Sequence, residues 1–147
     1  MGKGSGETSR PSFNVMEMIE RRIAQVRSEQ PEWQTLEARL LECGGERVNI
    51  VYEEDLDKLI TRGKQFTGPS TLWPGEASRC HANASSLWAS QDFQIATGYA
   101  LSDDGLWRQH SWCVDGDTVI ETTEPRLVYY GFILEDSEAA EFSECNF

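Results

Sequence analysis

Residues 93–123, FQIATGYALSDDGLWRQHSWCVDGDTVIETT, contain three strand-like runs separated by two short polar connections. The runs cover 93–101, 107–114 and 118–123, and aromatic or β-branched residues recur in each of them. The connections, Ser-Asp-Asp-Gly and Asp-Gly-Asp, are typical of hairpin turns. The segment therefore predicts an antiparallel meander of three strands, and the apolar run at 127–134 predicts a fourth strand.

The chain before this sheet has helical patterns. Apolar residues at helical spacing predict helices over 14–29, 32–42 and 55–64, and a short strand is predicted over 47–52. Residues 66–78 contain Gly-Pro and Trp-Pro-Gly, which predict a loop. Helices first and strands afterwards predict an α+β fold, with N-terminal helices followed by an antiparallel sheet.

The length of 147 residues fits a single domain, which we expect to span 13–134. Residues 1–12 are rich in Gly and Ser and are predicted to be a disordered tail. The acidic segment 135–147 is predicted to be a frayed helix or a second tail. No stretch has the length of a membrane span, and no signal-peptide core follows the start, so the expected compartment is the cytoplasm.

The formal net charge is -12, and it is concentrated at the C-terminal end. Residues 93–147 contain eleven Asp or Glu and only two Arg. Such a surface repels phosphate backbones and anionic lipid, so we expect neither nucleic acid nor a membrane as a partner. A protein that mimics nucleic acid and sequesters a basic partner is an alternative that this charge allows.

The four cysteines are irregularly spaced and include no Cys-x-x-Cys, which argues against a disulfide scaffold. A zinc site made of Cys80, His81, His110 and Cys113 is a further alternative. Strand alternation counts against it because His110 and Cys113, three residues apart, face opposite sides of a strand. We therefore predict no metal and no cofactor.

Cys80, His110 and Glu121 are the predicted catalytic residues. Cys80 begins a predicted helix, where the helix dipole lowers the pKa of a thiol. His110 and Glu121 lie on adjacent strands of the second hairpin and face each other if the register allows. Glu121 would then orient one imidazole nitrogen and leave the other for Cys80, as in the cysteine variants of the catalytic triad.

Further residues are expected around this centre. His81 follows the thiol directly, so its side chain is expected to point elsewhere, at the rim. The backbone N–H of Cys80 is a predicted oxyanion donor. The other pocket or rim residues are predicted to be Asn83, Trp107 and Trp112, and the candidates for a second oxyanion donor are Gln65, Ser70 and Thr71.

Four motifs carry a family resemblance: Cys-His-Ala-Asn-Ala at 80–84, Gly-Tyr-Ala at 98–100, His-Ser-Trp at 110–112 and Ile-Glu-Thr-Thr at 120–123. Their order resembles the papain-like superfamily of cysteine peptidases, transglutaminases and arylamine N-acetyltransferases. More narrowly, the series is similar to bacterial and phage proteins of uncharacterised function with Cys-x-x-Asn-Ala, Gly-Tyr-Ala, His-Ala-Trp and Asp-x-Thr motifs. The resemblance covers about 78–131. It departs from the pattern at Glu121, where Asp or Asn is usual, and in having no glutamine just before Cys80.

The resemblance implies a papain-like core and a cysteine-dependent hydrolase or acyltransferase. Its substrate would be a peptide, protein or other acyl compound with an amide, thioester or isopeptide bond, attacked through an acyl-enzyme. The alternative is a papain-like module that has lost catalysis and serves in binding. The oligomeric state is left open. Because an amide also orients the histidine in papain-like sites, Glu121→Gln is expected to be milder than His110→Ala.

Overall fold

The computed structural model describes the backbone of residues 3–146 and the side chains of residues 14–146. The helices are α1 (Lys3–Glu29), α2 (Trp33–Cys43), α3 (Leu56–Arg62), α4 (Cys80–Ser90) and α5 (Asp136–Asn146). The strands are β1 (Arg47–Val48), β2 (Lys64–Phe66), β3 (Ser70–Leu72), β4 (Gln94–Leu101), β5 (Leu106–Asp115), β6 (Thr118–Glu121) and β7 (Val128–Ile133). The predicted α+β class is thereby confirmed.

The strands form one mostly antiparallel sheet with the order β2-β7-β4-β5-β6-β3. The predicted meander is present as β4, β5 and β6, each antiparallel to the next. Strand β7 returns to the other side of β4 and is antiparallel to it. Short strands complete the sheet: β2 pairs with β7, β3 runs parallel to β6, and β1 runs parallel to the start of β5.

The two faces of the sheet have different surroundings. On one face, Trp107 and Cys113 of β5 belong to a core that includes Trp33 and Leu36 of α2 and Ala84 of α4. On the other face, a smaller cluster is formed by the buried residues Ala96, Ala100, Trp112, Val114, Val119 and Tyr129. Alternation along β5 places His110 on this second face, together with Trp112.

Glycines in β4 and β7 leave the second face without side chains at two positions beside His110. Gly98 pairs with His110 on one side and with Gly131 on the other. A Cβ at Gly98 would lie 2.6 Å from the Cα of Gly131, and one at Gly131 would lie 2.9 Å from the Trp112 ring. Both positions therefore require glycine, and Trp112 packs over the space that their missing side chains leave.

The middle of β5 has no strand on one of its sides. β1 reaches only Leu106 and Trp107, and β6 pairs with β5 only from Cys113 onward. Ser111, in the interval, hydrogen bonds to His81 of α4. The start of α4 therefore lies beside residues 108–112, where it can reach side chains on both faces of β5.

Several predicted boundaries were wrong. The segment 66–78 was predicted to be a loop, but it contains the end of β2 and all of β3. The strand predicted over 47–52 has only two residues, because Trp33 donates to the Val51 carbonyl and the chain turns toward the helices instead. Helix α1 begins at Lys3, so it includes most of the predicted tail 1–12, whose side chains lie outside the described residues. The proposed division of the chain into tail, domain and terminal segment stays a prediction.

The C-terminal segment forms helix α5, anchored to α3 by ion pairs. Glu138 accepts hydrogen bonds from Arg62 at 2.9 Å and pairs with Lys58 at 2.9 Å. Arg62 also donates to the Ile133 carbonyl at the end of β7. These partly exposed pairs contribute little energy individually, but together they fix where α5 lies. None of the helices in the described residues is long and apolar enough to cross a membrane.

Candidate active site

The turn that leads into α4 presents Cys80 at the start of the helix. Ser78 has a φ of 61°, a left-handed conformation that non-glycine residues seldom adopt. Arg79 is the N-cap residue and makes no side-chain capping hydrogen bond. The first N–H groups of a helix have no partner within the helix itself. Cys80 is half-buried beside these N–H groups, which are donors for a developing oxyanion.

His110 and Glu121 form a buried ion pair across the β5–β6 hairpin. The register pairs Cys113 with Ile120, so Trp112 lies level with Glu121, and His110 is its diagonal neighbour on the same face. His110 Nε2 lies 2.8 Å from Glu121 Oε1. Both side chains are buried, with relative exposures of 3% and 0%. The cross-strand contact that the sequence left open is therefore made.

Glu121 accepts five hydrogen bonds although its side chain is fully buried. His110 and the Tyr129 hydroxyl, at 2.6 Å, donate to Oε1. The backbone N–H groups of Thr122 and Thr123 and the Thr123 hydroxyl donate to Oε2 at 2.9–3.0 Å. Burial alone would raise the pKa of this carboxyl, but the donors, His110 above all, lower it to about 2. Glu121 is therefore a carboxylate throughout the neutral range.

The carboxylate decides which imidazole nitrogen faces the thiol. Because a carboxylate only accepts, His110 Nε2 carries a proton, and Nδ1 is left for Cys80. Burial raises the pKa of Cys80, but the neighbouring imidazoles of His110 and His81 outweigh the effect of burial and lower this pKa to about 5. Burial lowers the pKa of His110, yet hydrogen bonding to Cys80 and Glu121 leaves it raised. The lowered pKa of Cys80 and the raised pKa of His110 both favour a thiolate–imidazolium pair.

The other cysteines have different environments. All four cysteines are free thiols. Burial raises the pKa of Cys113 to about 12, and its Sγ donates to the Ala84 carbonyl. Burial also raises the pKa of Cys43. Cys145 is exposed at the end of α5. Cys80 differs from Cys43 and Cys113 in having two imidazoles beside it, which lower its pKa.

The expectation that His81 points away from the thiol was wrong. Its Nδ1 lies 2.6 Å from the Ser111 hydroxyl, and its ring is close enough to Cys80 to lower the pKa of the thiol. Ser111 Oγ in turn lies 2.8 Å from Thr97 Oγ1. His81 reaches the face of β5 opposite to His110, because the start of α4 lies beside the strand rather than above one face. Two imidazoles therefore flank one thiol.

The predicted pocket residues have structural roles. Asn83 bonds to the backbone of Glu76, with its Oδ1 accepting at 3.1 Å and its Nδ2 donating at 2.8 Å, which ties the preceding loop to α4. Trp107 is a core residue and not a pocket wall, since it is fully buried and its Nε1 donates to the Gly44 carbonyl. Trp112 is also fully buried, with its ring stacked on His110 at 5.9 Å.

The candidates for a second oxyanion donor lie away from Cys80. Gln65 belongs to β2, at the edge of the sheet with β7 and β4 between it and β5. Ser70 and Thr71 pair with Val119 and Ile120, and it is Leu72 that lies opposite Glu121. No hydrogen bond in the described residues joins any of the three to the start of α4. The backbone of that first turn is the donor group that the site contains.

Two carboxylate environments were not foreseen from the sequence. The Tyr129 hydroxyl donates a hydrogen bond to Glu121, a contact that the sequence analysis did not predict. Glu53 is buried and accepts from Tyr99 at 2.8 Å and Gln109 at 2.9 Å. Glu53 lies on a cavity of about 510 Å³ that also reaches His81. No local pattern distinguishes these residues, because their partners are distant in the chain.

The chain offers no metal centre within its described residues, where no group of three or more His, Cys, Asp or Glu is placed to hold an ion. His110 and Cys113 face opposite sides of β5, as alternation requires. Comparisons with family models, curated proteins and solved structures find no significant match to this chain. The case for a function therefore rests on the site itself.

The Tyr129 hydroxyl offers a first test of this network. Tyr129→Phe should lower the free energy of unfolding by about 1–3 kcal/mol, because it removes a charge-assisted donor to a buried carboxylate. Tyr130→Phe is the matched control: Tyr130 is also buried, belongs to the core on the other face, and should change stability by less than about 0.5 kcal/mol. Urea midpoints measure both. Equal effects of the two changes would contradict the assigned role of Tyr129.

Proposed function

We propose that this protein is a cysteine-dependent hydrolase or acyltransferase with a papain-like core, which attacks an amide, thioester or isopeptide bond through an acyl-enzyme. One observation carries the proposal. A thiol at an uncapped helix start lies beside a buried imidazole, and that imidazole is held by a carboxylate with five donors. Strongly perturbed pKa values of this kind are concentrated at functional sites.

The papain-like core is supported by the arrangement of elements. Helix α4 carries the thiol at its first residue and contributes to the core on one face of an antiparallel sheet. The imidazole and the carboxylate come from the next two strands of a meander, β5 and β6. This is the order that the family resemblance implies. The departure at position 121 is compatible with the role, since Glu121 makes the contact that an Asp or Asn would make.

Acylation would begin with the Cys80 thiolate. Its Sγ attacks the carbonyl carbon, an S–C bond forms, and the carbonyl π electrons move to the oxygen. The N–H of Cys80 stabilises this oxyanion. As the tetrahedral intermediate collapses, His110 Nδ1–H protonates the leaving amine or thiolate, and the C–N or C–S bond breaks. The product is a thioester on Cys80, with a neutral His110 still held by Glu121.

Deacylation would use the same groups with their roles reversed. Water or an amine attacks the thioester carbon, and His110 Nδ1 takes the proton that the nucleophile loses. The Cys80 thiolate then leaves, so the thiolate–imidazolium pair is restored. Water yields hydrolysis and an amine yields transfer. Neither outcome needs an oxidant or a cofactor. Glu121 keeps the imidazole oriented and stabilises its positive charge in both halves.

The acyl-enzyme provides the test of the proposal. Treated with p-nitrophenyl acetate near pH 7, the protein should release p-nitrophenolate in a burst and carry one acetyl group on Cys80, which hydroxylamine removes. Peptide mass spectrometry locates the group, and Cys80→Ser should abolish the burst. Acetylation spread over several cysteines would contradict the proposal and favour the inactive binding module. Salt-sensitive binding of a basic partner, with no acyl-enzyme, would favour the nucleic-acid mimic.

A further inference from the structure

An apolar pocket of about 410 Å³ lies along α4, on the side of the loop that precedes Cys80. Its walls include Leu72 at the end of β3, Trp73 and Pro74 from this loop, and Leu87 from the helix. Leu72 and Trp73 are 47% and 39% exposed, unusually open for large apolar side chains that line one concave surface. No charged residue lines the pocket.

The pocket adjoins the proposed catalytic residues. Asn83, on its wall, lies three residues after Cys80, which is about one helical turn of 5.4 Å. Thr122, also on its wall, directly follows Glu121. The loop is fixed to this strand end, since the N–H of Trp73 donates to the Glu121 carbonyl and that of Gly75 to the Thr122 carbonyl, both at 2.8 Å. The pocket therefore begins within about one helical turn of Cys80 and one residue from Glu121.

One buried polar atom in the pocket has no partner. Thr122 is 1% exposed, and its Oγ1 makes no hydrogen bond within the described residues. Buried hydroxyls normally make a hydrogen bond, so we expect this atom to bind a partner from outside the chain. Asn83 does not supply it, because both hydrogen bonds of its amide are made to the Glu76 backbone. Thr122 is therefore the unpartnered polar group of a pocket whose other polar lining residues are Asn83 and Ser86.

We propose that this pocket binds the large apolar side chain of a peptide-type acyl group whose carbonyl carbon Cys80 attacks, while the Thr122 hydroxyl donates to a backbone carbonyl of the same substrate. The inference rests on the proposed function and names its substrate class. An uncharged pocket excludes charged side chains by the cost of desolvating them. Its volume is within the range of small-molecule sites and accepts one aromatic or long aliphatic side chain.

The pocket is preformed rather than induced. A Cβ at Gly75 would lie 2.5 Å from the Asn83 amide carbon, so a side chain at this position would displace the Asn83 amide that ties the loop to α4. The Trp73 ring meets Phe93 edge-on at 5.1 Å, which holds it at the pocket wall. Because the pocket has its shape without a ligand, binding costs little free energy of reorganisation. The selectivity for apolar side chains should therefore be large.

Two chloromethyl ketones test the inference, acetyl-glycyl and acetyl-phenylalanyl, each of which alkylates Cys80 with loss of chloride. We expect the phenylalanyl probe to react about tenfold faster or more, since its side chain leaves water for an apolar pocket. Trp73→Ala should reduce the ratio of the two rates to near one. Tyr52→Ala, which removes an exposed aromatic side chain outside the pocket, should keep the ratio. Thr122→Val should slow the phenylalanyl probe roughly fivefold.

Failure of this inference can be told from failure of the proposed function. Iodoacetamide has no side chain to bind, so it reports the activation of the thiol alone. Equal rates for the two ketones, with an iodoacetamide inflection near pH 5, would overturn the pocket and leave the thiol chemistry standing. An iodoacetamide inflection near that of a free thiol, at about pH 8.5, would overturn both.

Discussion

Replacing His110 by alanine should lower the rate at which iodoacetamide alkylates Cys80 by about tenfold at pH 6. With a pKa of about 5, Cys80 is mostly thiolate at this pH. If the pKa returns to the free value of about 8.5, the thiolate fraction falls about 300-fold, while the more basic thiolate gains about 30-fold in nucleophilicity. The net loss is the tenfold expected.

The same reasoning predicts a crossing of the two pH profiles. In the parent protein, the rate should rise with an inflection near pH 5 and then stay flat. In His110→Ala the inflection lies higher, and above about pH 7 the variant should react faster than the parent, because its thiolate is the more nucleophilic. Mass spectrometry of the Cys80 peptide measures the rate without removing the other cysteines.

Arg108→Ala is the control for this experiment. Arg108 is on the same strand, is half exposed, and pairs with Asp104 at the surface. Its removal should change the Cys80 rate less than about twofold, since exposed charges are screened. If His110→Ala has the profile of the parent, His110 is not the group that activates the thiol, and the proposed chemistry is wrong.

Glu121→Gln should also lower the Cys80 rate at pH 6 by about tenfold, contrary to the milder effect expected from the sequence. The reason lies in the partners of Oε2. Thr122 and Thr123 offer only donors there, so the glutamine oxygen must take that position and its NH₂ group must face His110. His110 Nε2 then has to accept, which moves its proton to Nδ1. In that tautomer the ring cannot take a proton from the thiol.

The same substitution should change how stability depends on pH. Burial opposes ionisation of Glu121, but its donors lower the pKa from 4.5 to about 2. A carboxyl group with a lowered pKa stabilises the fold fully above about pH 4.5, and its contribution is lost as the pH falls toward about 2. The shift corresponds to about 3 kcal/mol. The difference in unfolding free energy between parent and Glu121→Gln should therefore be largest above pH 5 and should shrink on acidification.

Glu124→Gln is the matched control, since it removes the same charge three residues away at an exposed position. It should change stability by less than about 0.5 kcal/mol and leave the alkylation profile as in the parent. Urea midpoints at pH 6 and pH 3, with the Cys80 rate at pH 6, give both readouts. A Glu121→Gln protein that matches Glu124→Gln in both would show that the five hydrogen bonds to Glu121 are not made in solution.

The elements that local sequence decides were predicted well. Turn residues and alternation identified the β4–β5–β6 meander, and small helix-favouring residues placed the start of α4 at Cys80. The elements that were missed depend on distant partners. Strand β3, within a Gly- and Pro-rich segment, forms because its backbone pairs with β6. The two-residue β1 ends early because a tryptophan of α2 takes the Val51 carbonyl.

For the candidate site, the sequence by itself determined which thiol, imidazole and carboxylate could meet, because alternation places His110 and Glu121 on one face if the hairpin is short. The tertiary structure alone decided the charge and the pKa of those groups. The charge of Glu121 depends on Tyr129 of β7, and the pKa of Cys80 depends on a second imidazole, His81, which reaches the strand where β5 lacks a neighbour. Hydrogen bonds and desolvation act between groups that packing brings together, and sequence spacing does not record them.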